Sequence, residues 1–201
     1  DQIVVASGGN REIVKAADYR SLTNERAVPH SHAKHSTFRG QPFMVGSLAR
    51  LVVNAGKLSA RAAEAMGRMK LAPQSENPMD NNKAQAVELI YDIEQALETV
   101  ERLLDEGLKE EGRVAVVPRA GAGTAVTEAP RGLLFHSYSY DDQGRLLSAD
   151  IITPTALNAA SIERHLLRTA EQNAGQDEPA LRKKLEMIVR AYDPCISCSV
   201  H

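Results

Sequence analysis

Residues 83–108 read KAQAVELIYDIEQALETVERLLDEGL. Ala86, Leu89, Ile90, Ile93, Leu97, Val100 and Leu104 recur at spacings of three and four, so in a helix they share one apolar face. The pattern predicts a long amphipathic helix, entered after Pro78 and Asp80, ended near Gly107, and packed in the core from about Ala84 to Leu104.

Upstream, LSARAAEAMGRM belongs to a helical stretch from Val45 to Met69 that Gly56 breaks in two, and LAPQSENPMDNN is a loop. The first forty residues carry little periodicity and read as strands and loops wrapped on something larger. Downstream, RVAVVP (113–118) is a short strand candidate. RGLLFHSYSYDDQGRLLSADIIT (131–153) gives two strands around the turn Asp141 to Gly144, hence a hairpin. Two more helices follow, near 156–173 and 178–190, split by NAGQDEP. Helices outnumber strands, and neither a βαβ rhythm nor an internal repeat is present. The expected fold is mainly α (α+β), a helical bundle with a small β-hairpin layer.

The 201 residues suit one sizeable domain, and a hydrophobic fraction of 43% suits a globular core. A formal charge of -2 offers no basic footprint for nucleic acid or an anionic membrane. No apolar run is long enough to span a bilayer, and the first residues lack the pattern of a signal peptide, so a soluble location is expected. Asp1 is not a translational initiator, which fits a processed or partial chain.

Both cysteines, Cys195 and Cys198, fall in DPCISCSVH (193–201). CxxC serves redox pairs, half zinc sites and cluster sites alike. A redox pair opens a helix after a strand, whereas this one follows a helix and Pro194. A zinc site would need ligands from HSHAKH (30–35), where His30, His32 and His35 read more simply as solvated or hydrogen-bonded side chains. GAGTAVTEAPRG (121–132) has glycines but not the GK[ST] of a phosphate loop. Its end is informative for another reason: Pro130 stiffens the backbone before Arg131 and Gly132 permits a close approach, so one guanidinium is held rigidly, with Asp193 as a candidate ion-pair partner.

Four stretches, FRGQPFMVGSLARL, NPMDNNKAQAVELIYDIEQALE, EAPRG with ITPTALN, and DPCISCSVH, together resemble the C-terminal half of the large, catalytic subunit of nickel-iron hydrogenases. The ending matches that family's DPCxxCxxH signature and EAPRG its active-site arginine segment. The resemblance runs over nearly the whole chain from about Lys34. It implies a hydrogenase large-subunit-like fold, with residues 1–201 forming the C-terminal part of a single domain. It also implies a nickel-iron centre with four cysteine thiolates and carbon monoxide and cyanide on the iron. Cys195 would be a terminal nickel ligand able to accept a proton, and Cys198 a bridging one. Arg131 would stand over the open metal position, oriented by Asp193. Pro130, Pro154 and Thr155 would line the iron side, with Thr155 donating to a cyanide. His201 and the backbone carbonyl of Ile151 would hold magnesium or iron. The chain's stop at His201 resembles the family's mature, nickel-loaded product.

The family's other two nickel cysteines lie in an N-terminal RxCGxC motif that is absent here, as is its N-terminal proton-transfer glutamate. The implied partners are the N-terminal half of the large subunit, as a companion chain or missing segment, an iron-sulfur small subunit and nucleotide-reducing subunits, with no nucleic acid and no direct membrane contact. CISCSVH is more similar to cytoplasmic, NAD-linked enzymes than to periplasmic ones. Two alternatives stand beside this: a non-catalytic homologue of the complex I type, and a zinc-binding interaction module.

Overall fold

The computed structural model describes residues 2–23 and 25–200. Two antiparallel hairpins come first, β1 (Gln2–Ser7) with β2 (Asn10–Lys15) and β3 (Glu25–Val28) with β4 (Ser31–Ser36). Helices α1 (Ser47–Asn54) and α2 (Ala60–Arg68) follow, then α3 (Asn81–Glu106). A three-stranded antiparallel sheet, β5 (Gly121–Ala129), β6 (Gly132–Tyr140) and β7 (Leu146–Ile152), leads into α4 (Pro154–Gln172), α5 (Glu178–Tyr192) and the single turn α6 (Ile196–Ser199). The α+β class stands, with helices arranged around small antiparallel sheets. No described helix is long and apolar enough to cross a membrane.

Two apolar clusters hold the chain together. Ile3, Tyr19, Leu22, Val45, Phe135, Ile152 and Leu157 join the first hairpin to β6, β7 and α4. Leu48, Leu51, Ala62, Met66, Leu71, Ala84 and Val87 join α1, α2 and the start of α3. Two buried asparagines stitch these layers. Asn158 accepts from Val45 N–H at 2.9 Å and donates back to its carbonyl at 3.2 Å. Asn81 accepts from Leu48 N–H at 2.9 Å and donates to the Ala191 carbonyl at 2.7 Å. Each satisfies backbone groups that burial would otherwise strand, at a cost of about 1–3 kcal/mol per group.

The helix break near Gly56 is where the sequence puts it: a 3-10 turn over Ala55–Lys57 separates α1 from α2, and Ser59 caps α2 through the Ala62 N–H. The 141–144 turn is likewise observed, with Asp141 Oδ1 accepting from the N–H groups of Gln143 and Arg145, each at 2.9 Å.

Three readings need correction. First, α3 forms but does not run through the core. Only Asn81, Ala84 and Val87 of α3 are buried, while Leu89, Ile93, Leu97, Val100 and Leu104 are between 52% and 76% exposed. The N-terminal half of α3 rests on α1 and α2, with Ile90 and Tyr91 against their apolar cluster and Glu94 accepting from Ser59; from Gln95 onward every residue of the helix is exposed. Second, RVAVVP is not a strand: Val114, Val116 and Val117 lie in exposed coil, because no neighbouring strand completes their backbone hydrogen bonds. Third, the two-strand hairpin of 131–153 is part of a three-stranded sheet: the glycine-rich stretch before Arg131 is strand β5, specified by its full register with β6 from Gly121↔Tyr140 to Ala129↔Gly132.

Candidate metal centre

Arg131 sits with Pro130 in the tight turn joining β5 to β6. Gly132 follows at φ +132, and a Cβ there would lie 2.3 Å from Cγ2 of Val45, so the turn fits against the loop before α1 only with glycine. From the other side, Gly46 at φ +110 leaves 3.0 Å between its missing Cβ and the Arg131 carbonyl oxygen.

Arg50, on α1, clamps the same turn. Its Nη1 donates to the Ala129 carbonyl at 2.9 Å and its Nη2 to the Pro130 carbonyl at 2.8 Å. Glu88 of α3 takes two further bonds at 2.7 and 2.9 Å, and Glu128 one at 2.8 Å. Burial opposes the charge on Arg50, but the bonds to Glu88 and Glu128 outweigh it and raise the pKa above its ordinary value. Five donors in a planar fork let one side chain bind two carboxylates and two carbonyls. Neither Arg50 nor the two asparagines stood out in the sequence as site residues, although Arg50 ends the quoted SLAR segment and Asn158 closes ITPTALN. Arg50, Leu51, Glu88, Leu89, Pro130 and Asp193 line an open cleft of about 780 Å³ beside the turn.

The other wall comes from the end of α5. Asp193 adopts φ 48 and ψ 54, a left-handed C-cap whose N–H bonds Arg190 O at 3.1 Å. That turn aims Asp193 at Arg131. Arg131 Nε donates to the Asp193 carbonyl at 2.6 Å and lies 3.1 Å from Oδ2. The preceding Tyr192 is buried, with its hydroxyl 2.8 Å from Ser161 Oγ and 2.7 Å from His165 Nδ1 on α4. Burial pushes the Tyr192 pKa up against the Ser161 bond, and pushes the His165 pKa down with help from Arg164 and Arg168.

Cys195 follows at once. Its N–H donates to Thr155 Oγ1 at 3.0 Å, tying the CxxC turn to the first turn of α4, where Pro154 and Thr155 are both buried. Cys195 caps α6, the Cys198 N–H bonds its carbonyl at 3.1 Å, and the two sulfurs are joined as a disulfide with Cα atoms 5.3 Å apart. A CxxC turn brings both sulfurs to one point, where they either bond to each other or, once reduced, converge on one soft cation. The donors thus fit half of a four-thiolate nickel site, and the sequence holds no further cysteine. Ile151 lies on β7 opposite His136, one position from the buried Ile152. His201 is outside the described residues. The structure therefore bonds Arg131 to Asp193 and Cys195 to Thr155, with Pro194 linking the two pairs along the chain, Cys198 joined to Cys195, and Pro130 and Pro154 next in sequence to Arg131 and Thr155.

The nickel-dependent hydrogenase family matches residues 10–201. Sulfhydrogenase 1 subunit alpha of Pyrococcus furiosus is 43% identical, over 94% of this chain and 46% of its own length. The NAD-reducing hydrogenase HoxS subunit beta of Cupriavidus necator is 31% identical, over 78% of this chain and 33% of its own. Among solved structures, an NAD+-reducing [NiFe]-hydrogenase in the H2-reduced state superposes with a TM-score of 0.74 at 29% identity, covering 92% of this chain and 42% of that one. A [NiFeSe]-hydrogenase of Dm. baculatum shares the fold, with a TM-score of 0.71 at 21% identity. The chain spans less than half the length of these relatives, and the match over residues 10–201 places it in the nickel-dependent hydrogenase family.

Proposed function

We propose that this chain is the C-terminal portion of a hydrogenase catalytic subunit and contributes two of the four thiolates, Cys195 and Cys198, that hold a nickel-iron centre. The observation that carries this reading is the bonded set around the CxxC turn: Arg131 locked to Asp193, two residues before Cys195, and Thr155 fixing the Cys195 N–H. When bound, the centre, with its carbon monoxide and cyanide ligands on iron, supplies the heterolytic splitting of dihydrogen.

The chain's own residues prepare that chemistry. Arg131 presents a fixed cation at the substrate position, and because its Nε is committed to Asp193 the fork cannot swing away. Cys195 would hold the nickel as a thiolate, and its Sγ would be the base that takes up a proton. Thr155 uses an oxygen lone pair for the Cys195 N–H, which leaves its hydroxyl proton to donate to a cyanide nitrogen. Pro130 and Pro154 wall the iron side without offering competing N–H groups. His201 and the Ile151 carbonyl would hold a magnesium or iron ion, as the family resemblance implies. The remaining two thiolates come from the N-terminal half of the large subunit, as a companion chain or a segment of the same polypeptide, and that half also covers the exposed face of α3. Electrons leave through an iron-sulfur small subunit to nucleotide-reducing subunits in a cytoplasmic complex.

An infrared spectrum of the native complex tests this. One metal carbonyl band with two cyanide bands is the expected result. Their absence in a complex that retains the fold and binds zinc at the cysteines would move the function to the binding class; their absence with no metal at all would make this a non-catalytic homologue.

A further inference from the structure

Two of the three histidines in HSHAKH converge, and not on the cysteines. His30 lies in the turn between β3 and β4, His35 lies near the end of β4, and Glu163 reaches them from α4. Glu163 Oε1 is 2.9 Å from His30 Nε2, and Oε2 is 3.5 Å from His35 Nδ1. One ligand atom from each residue lies within 4.8 Å of the others. The His35 side chain is 6% exposed, against 62% for His30 and 53% for Glu163, so the cluster is sheltered on one side and open on the other.

Two atoms bound to one tetrahedral zinc at about 2.0–2.1 Å stand roughly 3.4 Å apart. Each histidine nitrogen is about that far from one Glu163 oxygen, 2.9 Å to Oε1 and 3.5 Å to Oε2, and all three ligand atoms lie within 4.8 Å of one another. His30 and Glu163 are the exposed members, so binding would draw the cluster together through their side-chain rotations. As a plain ion pair the exposed half of the cluster would contribute only about 0–1 kcal/mol. Two imidazoles and a carboxylate with a free fourth position are instead a donor set for a borderline divalent cation. We propose that His30, His35 and Glu163 bind a zinc ion with water as the fourth ligand, at a site separate from Cys195 and Cys198. The ion would pin the β3–β4 hairpin to α4, the helix whose first turn holds Thr155 against Cys195. This inference uses no part of the nickel reading and survives its failure.

The native complex containing this chain, incubated with a slight excess of zinc sulfate and desalted, is assayed for zinc, nickel and iron by mass spectrometry. One zinc per chain is expected in the wild type, weakened about tenfold or more in His30→Ala and in Glu163→Gln with nickel and iron unchanged. Both substitutions are at exposed positions, and circular dichroism checks the fold. Zinc-edge X-ray absorption on the wild type should show nitrogen and oxygen neighbours only. Absence of bound zinc, equal zinc affinity in the His30→Ala/Glu163→Gln double variant, or a sulfur neighbour would each overturn the assignment.

Discussion

Arg131 and Asp193 meet through both main chain and side chain: one Nε lies 2.6 Å from the Asp193 carbonyl and 3.1 Å from its carboxylate. The left-handed cap at Asp193 makes both contacts possible, because it turns carbonyl and carboxylate toward the same guanidinium. Arg131→Lys should therefore leave nickel and iron bound in the complex while hydrogen uptake falls about 100-fold, since an ammonium cannot hold a planar, two-point geometry. Activity within a factor of two of wild type would remove Arg131 from the reaction.

Arg50 acts on that turn from behind. Arg50→Met keeps the volume of the stem but strips donors from the Ala129 and Pro130 carbonyls and leaves Glu88 and Glu128 without their cation. Breaking such a partly buried pair should cost about 3 kcal/mol. A clear fall in the melting temperature of the complex is expected, together with lower turnover as the Arg131 turn loosens. Arg50→Lys should recover only part of the stability.

Gly132→Ala should be disruptive and partly repairable. The new methyl would stand 2.3 Å from Val45 Cγ2 at a φ that L residues avoid. Overpacking alone costs about 1–3 kcal/mol. Val45→Ala in the same protein should return some of that loss, read as a non-additive double-mutant cycle in thermal denaturation.

The His165 pKa is lowered by burial and by Arg164 and Arg168, so the unfolded chain binds a proton at a higher pH than the folded one. The sign follows: His165 leaves stability intact above its ordinary value of 6.5 and takes it away as pH falls below 6.5 toward the depressed folded value. The complex should lose stability as pH falls below 6.5, and His165→Gln should flatten that slope while still offering a partner to the Tyr192 hydroxyl. An unchanged slope in the variant would assign the acid sensitivity elsewhere.

Local pattern carried much of this fold. The helix break near Gly56, the turn at Asp141 to Gly144 and the two C-terminal helices follow from breakers and periodicity within a dozen residues. Strand β5 was illegible because Gly121, Ala122, Gly123 and Thr124 offer no apolar alternation; its conformation is set by the ladder to β6. RVAVVP misled for the opposite reason, having β-branched residues but no partner strand. The Arg131 to Asp193 pair could be suggested because rigidity and charge marked both ends. The Arg50 clamp and the Glu163 bridge could not, since each joins segments some eighty to one hundred and thirty positions apart through side chains whose local surroundings are unremarkable. His32 shows the limit of composition: it belongs to the same histidine-rich segment, yet the alternation of β4 and the bend at His30 leave it outside the cluster.

Helix α3 carries a further consequence. Twenty-six residues at 1.5 Å each make a rod about 39 Å long. Along it Leu89, Ile93, Leu97, Val100 and Leu104 face water. Hiding those five side chains would release roughly 1–2 kcal/mol apiece, on the order of 5–10 kcal/mol altogether. That equals the entire margin by which an ordinary domain stays folded. On the reading proposed above, the segment that covers this face would supply as much free energy as a whole domain's folding margin, and a copy without it would present one long adhesive helix to its surroundings.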